Sequence, residues 1–589
     1  MPLMTAPLLL PLLLPVLPAS SPPQQVPPVR SSLRLDPATQ GTAEDPGVAS
    51  DGERTVVVYG DDFDHGSGIE STIHVVRGDG RGLGWSPPVR VDQDTGAVLS
   101  RKFVQNDCVH LSGNRVYVVW EDRRFNVGGY NDDLYFARSD DGGASFGPER
   151  LLDKGMPPGS GRVEVYHVAF SPDAAGDHLY VLVSPSASSA AADDLYLLSS
   201  HDGGLTWSGP VPVSSRNGSA DADAIALAAD GTTVHVAWAD DRNGGNATWY
   251  RRSTDGGATW GPELRLDSGS PGPTGSFKDG VVLAASGATV AVAWLASAGG
   301  DTLLARVSTD AGASFGPERR IGSYATGADD VDNPAVDVAA DGTVALVWED
   351  DRSGGDAIHA AASPDGGSTW TADPLISGSR AGFPRVLAAG GALFATWTGS
   401  GFPDRTEGAF SLDRGTTWSA WFRVGDTTGD ADFAELAWNE RYGNLIQVWL
   451  ADDSGANRLY AGGYRPQFLR VLGPITAGGT VRFELRNFRH GGFGAALISG
   501  GAATGSFLLP FGDGRETGLL DDAILRTARA NIPGVLSTAL VAGDGTTPPL
   551  TWPAGLPLGT PLFLAGVSWD ATGGVVLGDL TDLVTDSVQ

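Results

Sequence analysis

Short apolar runs recur along the chain and are separated by turn residues. The segment from Asn333 to Ser377 reads as four strands: PAVDVA, VALVWED, AIHAAAS and PLIS. The second of these, from Val344 to Trp348, is apolar at every position, which is typical of a strand covered on both faces. With Val344–Asp350 there are eight such runs, the others being Thr55–Asp61, Val116–Asp122, Leu179–Pro185, Val234–Asp240, Val290–Ala296, Phe394–Gly399 and Leu445–Ala451.

A polar motif, Ser-x-Asp-x-Gly-x-(Thr/Ser)-(Trp/Phe), separates the third and fourth strands in six of these units. Gly tolerates the positive φ of a tight turn, and an Asp side chain can accept hydrogen bonds from backbone N–H groups further along the chain. The Ser hydroxyl can add a local hydrogen bond, and the aromatic ring returns to apolar surface. The motif residues are Ser139, Asp141, Gly143 and Phe146; Ser200, Asp202, Gly204 and Trp207; Ser253, Asp255, Gly257 and Trp260; Ser308, Asp310, Gly312 and Phe315; Ser363, Asp365, Gly367 and Trp370; and Ser411, Asp413, Gly415 and Trp418.

The spacing of the motif predicts the architecture. Successive motif aromatics are 48 to 61 residues apart, and β-rich repeats of this length are typical of propellers. The eighth unit ends after its third strand, RLYAGGY, whereas Leu33–Asp36 repeats the fourth-strand sequence of Leu264–Asp267. An N-terminal strand that completes the eighth unit would remove the exposed sheet edges. We therefore predict an all-β fold with an eight-bladed β-propeller over residues 33–465, closed by the N-terminal strand. Seven blades are the alternative if one unit is not a blade.

The two ends of the chain differ from the repeats. Residues 1–20 have an apolar core and end in Ala19-Ser20, which predicts a signal peptide and a secreted, periplasmic or cell-surface protein. Residues 21–32 form a polar, Pro-rich linker. Residues 466–589 lack the motif and alternate apolar with polar positions, as in Val481–Leu485, which predicts a C-terminal β-sandwich-like domain.

The six motifs resemble the Asp-box, or bacterial neuraminidase repeat, of the sialidase superfamily. The resemblance covers roughly residues 48–465 and implies a propeller whose Asp-boxes are structural and lie away from the active face. It also implies that an active enzyme would hold the substrate carboxylate with three arginines, one of them in an Arg-Ile-Pro motif, and would use a Tyr nucleophile activated by Glu, with an Asp acid/base. No Arg-Ile-Pro occurs here, and the nearest string is Phe383-Pro384-Arg385. This absence and the two blades beyond the usual six count against sialidase activity.

The candidate site residues lie in the loops and strand starts of the funnel face. The ligand-binding candidates are Lys102, Arg162, His167, Lys278 and Arg385, because a cluster of cations could hold a carboxylate ligand. The alternative is that these charges are solvated. The resemblance suggests Tyr324 as nucleophile and Glu435 as its activator, with Asp332 as a third catalytic candidate. A repeated string, as in Trp120-Glu121-Asp122-Arg123 and Trp348–Arg352, is read either as a ligand contact or, with more weight, as a brace within each blade.

Charge and cysteine content narrow the function classes. The formal net charge of -30 argues against nucleic acid or anionic membranes as partners, and one cysteine excludes an internal disulfide framework. We expect a monomer without membrane insertion and without a cofactor, although Asp61-Asp62-Phe63-Asp64 could hold a structural Ca²⁺. Two functions stand: a secreted propeller that binds a glycan or an extracellular protein on its funnel face, and an exo-sialidase-type glycoside hydrolase with a diverged site.

Overall fold

The structure is a computed structural model of the 589-residue chain. It describes residues 33–464 except 37–40, 52, 65–68, 80–83, 95–101, 105–107, 125–132, 153–162, 174–175, 186–194, 215–221, 243–246, 269–279, 298–300, 324–330, 379, 390–391, 400–403, 412, 425–429, 440–443 and 453–454. After residue 464 it describes nine strands. The predicted signal peptide and linker lie outside the described residues.

Eight antiparallel sheets follow one another along the chain, and they confirm the eight-bladed propeller. Blade 1 is β2 (Thr42–Ser50), β3 (Arg54–Asp64), β4 (Ile69–Asp79) and β5 (Val89–Arg90). Blade 2 is β6 (Lys102–Phe103), β7 (Val109–Ser112), β8 (Arg115–Asp122), β9 (Asp133–Ser139) and β10 (Arg150–Leu151). Blade 3 is β11 (Val163–Asp173), β12 (Gly176–Pro185), β13 (Tyr196–Ser200) and β14 (Ser208–Pro212). Blade 4 is β15 (Ala222–Asp230), β16 (Thr233–Asp240), β17 (Ala247–Ser253) and β18 (Leu264–Arg265).

The second half of the ring repeats this order. Blade 5 is β19 (Val281–Ser286), β20 (Thr289–Ser297), β21 (Asp301–Ser308) and β22 (Arg319–Arg320). Blade 6 is β23 (Val331–Val338), β24 (Val344–Asp350) and β25 (Ala357–Ser363), and a single bridge from His359 to Leu375 marks its fourth strand. Blade 7 is β26 (Ala381–Ala389), β27 (Ala392–Gly399), β28 (Arg405–Ser411) and β29 (Phe422–Arg423). Blade 8 is β30 (Ala431–Asn439), β31 (Asn444–Asp452), β32 (Asn457–Tyr464) and the N-terminal β1 (Leu33–Arg34).

The N-terminal strand closes the ring as the sequence predicts. In β1, Leu33 and Arg34 pair with Ala461 and Tyr460 of β32. The backbone N–H of Leu459 donates to Asp36 Oδ1 at 3.1 Å. Leu35, which lies between β1 and Asp36, is buried with Val57 and Tyr59 of blade 1. The first and last blades are therefore joined by residues from both ends of the propeller.

The core consists of apolar layers between neighbouring blades. Six second strands contribute a fully buried tryptophan: Trp120, Trp238, Trp294, Trp348, Trp397 and Trp449. The apolar runs of the sequence are thus explained, because each second strand packs against a blade on either side.

Each Asp-box is a hydrogen-bonded loop of one design. In the first, Ser139 Oγ donates to Asp141 Oδ1 at 2.8 Å and accepts from the N–H of Gly143 at 2.8 Å. The Asp141 carboxylate accepts from Ser145 N–H and Oγ at 2.8 and 2.6 Å. Gly143 has a φ of 84°, which a glycine adopts without strain. The residues of the motif therefore build the turn and not a ligand site.

The Asp-boxes predict a loss of stability in acid. Hydrogen bonds, first from the Ser145, Thr259 and Ser314 hydroxyls, lower the pKa of Asp141, Asp255 and Asp310 to about 2. A carboxyl whose folded pKa is depressed contributes stability above its unfolded pKa of about 4 and loses it as the pH falls through the folded value. We expect the midpoint of thermal unfolding to fall steeply between about pH 4 and pH 2.

A pH series with an Asp255→Asn variant tests this expectation. The variant should melt below the wild type at pH 7, and the difference should shrink at pH 2.5, where the wild-type carboxyl is also becoming neutral. A constant difference across the series would contradict it.

Between about pH 4 and 6.5 the buried groups have opposite effects on stability, because burial raises the pKa of Asp45 and Asp61 to about 6 and lowers that of His74 and His235 to about 4. The two carboxyl groups make the folded state more stable as the pH falls, whereas the two imidazoles make it more stable as the pH rises.

The repeated Asp–Arg strings brace their own blades. Arg242 Nε donates to Asp240 Oδ1 at 2.8 Å, and its Nη1 contacts Glu263. Arg352 makes the same contacts with Asp350 and Asp373, and in blade 2 the bracing residue is Arg124, with Asp122 and Glu149. Arg123, the arginine of the quoted string, instead lies over the Phe103 ring at 4.6 Å. Arg124, Arg242 and Arg352 thus tie the loop after the second strand to the fourth-strand segment of the same blade.

The C-terminal segment contains two antiparallel sheets. One is built from β33 (Phe468–Leu472), β34 (Thr480–Arg486), β37 (Gly545–Thr546) and β38 (Leu550–Thr551). The other is built from β35 (Phe493–Ser499), β36 (Ser537–Ala539), β39 (Pro561–Asp570), β40 (Val576–Leu580) and β41 (Val584–Ser587). The β-sandwich remains a prediction. Within the described residues, no helix is long and apolar enough to cross a membrane.

Candidate ligand site

The two faces of the propeller can be told apart by hydrogen bonds. The Asp-box loops contact the hairpins that join first to second strands: Gly142 N–H donates to the Asn114 carbonyl oxygen at 2.7 Å, and Gly256 N–H donates to that of Thr232 at 2.8 Å. These hairpins and the Asp-boxes therefore share one face, called the Asp-box face here. The first strand of each blade is its inner strand, and it starts at the opposite face, called the funnel face here.

A β-bulge interrupts the inner strand near the funnel face in six blades. The pairing register shifts in blades 1, 3, 4, 6, 7 and 8. In three of them a residue with positive φ precedes a proline: Asp45 (46°), Asn333 (49°) and Phe383 (55°). Asp and Asn adopt this conformation more readily than other non-glycine residues, whereas for a bulky phenylalanine it is strained. Blade 7 therefore holds an aromatic side chain where its equivalents hold short polar ones.

Phe383 is exposed, and a carboxylate fixes its backbone. Its relative accessible surface is 62%. Glu349 Oε2 accepts a hydrogen bond from Asn333 Nδ2 at 2.8 Å and one from the Phe383 N–H at 3.4 Å. A side chain on Gly382 would come within 3.0 Å of the same oxygen, so this approach favours glycine. Glu349 thus holds the bulges of blades 6 and 7 together, with the ring of Phe383 toward solvent.

An ion pair joins the next two inner strands. Arg385 Nε of blade 7 donates to Glu435 Oε1 of blade 8 at 3.2 Å, and Arg385 Nη1 donates to the Pro384 carbonyl oxygen at 3.3 Å. The side chain of Arg385 is 39% exposed and that of Glu435 is 16% exposed. We call Asn333, Glu349, Phe383, Arg385 and Glu435 the funnel cluster. It presents an aromatic ring, carboxylate acceptors and guanidinium donors on neighbouring blades.

The structure brings some of the sequence candidates together. Arg385 and Glu435 form the ion pair above. Asp332, next to Asn333, is an exposed residue of β23 in the same blade as Glu349. His167 lies on β11 of blade 3, four blades away from Arg385. Arg162, Lys278 and Tyr324 lie outside the described residues, so their candidate roles stay predictions.

Lys102 has a structural environment in place of the expected ligand contact. Its side chain is 1% exposed. The ammonium donates to the Ser71 carbonyl oxygen at 2.8 Å, and it lies 3.7 Å from Asp92, 3.6 Å from Asp94 and 4.0 Å from Asp122. A buried ammonium surrounded by carboxylates is not available to a ligand. Lys102 therefore links the end of blade 1 to blade 2.

Of the three aspartates that could hold a structural Ca²⁺, the structure describes the side chains of Asp61 and Asp62. Asp61–Asp64 belong to strand β3, and Asp61 and Asp62 are buried. Within the described part of the chain, no group of three or more His, Cys, Asp or Glu side chains is placed to hold a metal ion.

Sequence reasoning did not name Phe383 and Glu349 as candidate site residues. Both were visible in quoted strings, Phe383-Pro384-Arg385 and Trp348–Arg352. The available signal was the replacement of the Asp-Pro or Asn-Pro of other inner strands by Phe-Pro. That signal becomes informative only once the backbone conformation at the position is known.

Comparisons with known proteins give one family match and several similar solved structures. Residues 167–395 match the family described as BNR repeat-like domain. Similar solved structures include a PL25 ulvan lyase (11% identity, 74% of this chain, 96% of that chain, TM-score 0.41). Another is the GH93 α-L-arabinofuranosidase of Fusarium graminearum (14% identity, 62% of this chain, 92% of that chain, TM-score 0.34). A third is the NanB sialidase of Streptococcus pneumoniae (10% identity, 68% of this chain, 71% of that chain, TM-score 0.32). A search of curated protein sequences gives no match.

The repeat match and the sheet order support the same assignment. The matched residues run from the inner strand of blade 3 into the second strand of blade 7, through four of the six Asp-boxes. The chain carries an eight-bladed β-propeller, and residues 167–395 of it match the BNR repeat-like domain.

Proposed function

We propose that the propeller binds an uncharged glycan at the funnel cluster. The observation that carries the proposal is the exposed ring of Phe383, held on a strained bulge beside Glu349. Strained backbone is costly and concentrates at active sites and ligand clamps, and an exposed aromatic ring there can stack on a ligand. We further propose that the protein acts outside the cytoplasm, as the predicted signal peptide implies. We also propose that it is a monomer.

The chemistry of the funnel cluster suits a sugar ring. The apolar face of a sugar can lie on an aromatic ring, which buries its C–H groups. Its hydroxyl groups can both donate and accept hydrogen bonds. Carboxylates such as Glu349 and Glu435 accept them, and the Arg385 guanidinium donates them. The cluster offers all three kinds of contact.

The charges favour a neutral ligand over sialic acid. Of the described cationic candidates, Lys102 is buried among three carboxylates and Arg385 is paired with Glu435. A ligand carboxylate would have to compete with Glu435 for Arg385, in a protein of net charge -30. The sialidase-type hydrolase and a protein ligand are therefore the competing outcomes of the test.

A glycan array probed with the purified chain tests the proposal, followed by calorimetric titration of each glycan that binds. We expect binding of neutral oligosaccharides that persists in about 0.5 M salt, because uncharged contacts are not screened. Binding confined to sialylated or uronate-containing glycans would overturn the neutral assignment. Release of the fluorophore from a fluorogenic sialoside would establish the hydrolase instead.

A further inference from the structure

A cavity of about 780 Å³, which shares only Glu435 with the funnel cluster as defined above, lies within the ring toward the Asp-box face. Its walls come from the inner strands of blades 8, 1, 2 and 3, and from the hairpins after β2 and β7. Since those hairpins lie on the Asp-box face, the cavity reaches the side of the propeller opposite to Phe383, which does not line it. A volume of this size is within the usual range for small-molecule sites.

The lining is aromatic and acidic. Trp438, Phe170 and His110 supply rings, and Asp51, Glu53 and Glu435 supply carboxylates. Neighbouring rings support the aromatic side chains: Trp438 stacks on Phe394 at 5.3 Å between centroids, and His110 stacks on Phe170 at 5.3 Å. Supported rings keep their position when a ligand binds, so the aromatic part of the wall is preorganised.

No lysine or arginine lines the cavity in the described part of the chain. Glu435 is paired with Arg385 of the funnel cluster. Arg54 donates to the carbonyl oxygen of Gly113 at 2.8 Å but is not itself a lining residue. Asp51 and Glu53 are therefore the lining carboxylates at the Asp-box end, with the Arg54 guanidinium beside them at Gly113.

Carboxylates beside aromatic rings favour an organic cation. An ammonium group gains from the carboxylates and from the face of a Trp ring. The hydroxyl groups of Ser50 and Ser112 also line the wall and can exchange hydrogen bonds with ligand hydroxyls. We propose that this cavity binds an amino sugar that carries a free ammonium group. The site shares Glu435 with the funnel cluster, but its other lining residues and the charge of its ligand are different. Substitutions at Asp51 and Glu53 therefore test this proposal, and a substitution at Phe383 tests the other.

The test is a calorimetric titration of the full chain with a β-1,4-linked glucosamine dimer at about pH 5.5. Cellobiose serves as the matched neutral probe, because it has hydroxyl groups where the dimer has ammonium groups. We expect the dimer to bind at least about tenfold more tightly than cellobiose, and its affinity to fall as salt rises from about 20 to 200 mM. Equal affinity for the two disaccharides would overturn the proposal.

Variants locate the site. Asp51 Oδ1 accepts the N–H groups of Glu53 and Arg54, and an asparagine keeps that acceptor. The double variant Asp51→Asn, Glu53→Gln therefore preserves the turn and removes two charges. We expect it to bind the dimer about tenfold more weakly, since each partly exposed ion pair contributes roughly a two- to fivefold effect. Unchanged affinity would overturn the assignment to this cavity.

Two further arms separate charge from site. Asp140→Asn removes a carboxylate on the Asp-box face, with a side chain 66% exposed, that does not line the cavity. It should leave dimer binding unchanged, and a tenfold loss there would mean that general surface charge attracts the ligand. An Nα-acetyl-lysine methylamide probe presents an ammonium without a sugar. Affinity equal to that of the dimer would overturn the amino-sugar assignment in favour of basic peptides.

Discussion

Replacing Leu35 with alanine should lower the free energy of unfolding by about 2 to 4 kcal/mol. Leu35 is 6% exposed and packs with Val57, Tyr59 and Leu459 in the core between blades 8 and 1. Its backbone N–H also donates to the Leu459 carbonyl oxygen at 2.8 Å. The truncation leaves a void at the position where the two ends of the propeller meet, and urea unfolding followed by tryptophan fluorescence measures the cost.

Leu33→Ala is the matched control. It lies two residues earlier on the same closing segment but is 45% exposed, so its truncation should cost less than about 0.5 kcal/mol. Equal effects of the two substitutions would contradict the closure described here. A chain that begins at residue 37 should also melt well below one that begins at residue 33, and should aggregate, because its β32 edge is exposed.

Phe383→Gly should weaken binding of a neutral glycan at least about tenfold and leave the fold intact. Burying a phenylalanine ring against a ligand contributes about 1.5 to 3 kcal/mol, which is a factor of ten or more in affinity. Stability should stay within about 1 kcal/mol of the wild type. Glycine relieves the strain of a φ of 55° but adds a similar entropic cost in the unfolded chain.

Leu375→Ala controls for the loss of exposed apolar surface. Leu375 is 47% exposed and lies on the outer, fourth-strand side of blade 6, away from the inner-strand bulges. Calorimetric titration of both variants with the same oligosaccharide separates the two positions. Loss of affinity in both variants, or in neither, would contradict the placement of the glycan at the funnel cluster.

Local residue patterns predicted the blades well because each repeat closes its own hydrogen bonds. The Ser, Asp and Gly of an Asp-box lie within a few residues of one another, so the sequence specifies the turn directly. The closure was also predictable, because Leu33–Asp36 copies Leu264–Asp267. In both copies the Arg and Asp form a salt bridge, Arg34–Asp36 and Arg265–Asp267.

The charged residues of the funnel face were less predictable. Lys102 was expected to contact a ligand as part of a cluster of cations on the funnel face. Its actual partners, Asp92, Asp94 and Asp122, come from two blades. Which carboxylate meets which cation depends on how neighbouring blades are rotated and spaced, and a single repeat does not contain that information.

The sequence by itself determined the repeat, the position of each Asp-box and the strand that closes the ring, and it favoured eight blades over seven. These features rest on hydrogen bonds and apolar runs within one repeat, or on a copy of one. Only the tertiary structure decided that Phe383 is exposed on a strained bulge, that Arg385 meets Glu435, and that four inner strands line an open cavity with acidic and aromatic residues. Each of these features joins residues from different blades, whose distances are set by packing around the ring and not by spacing along the chain.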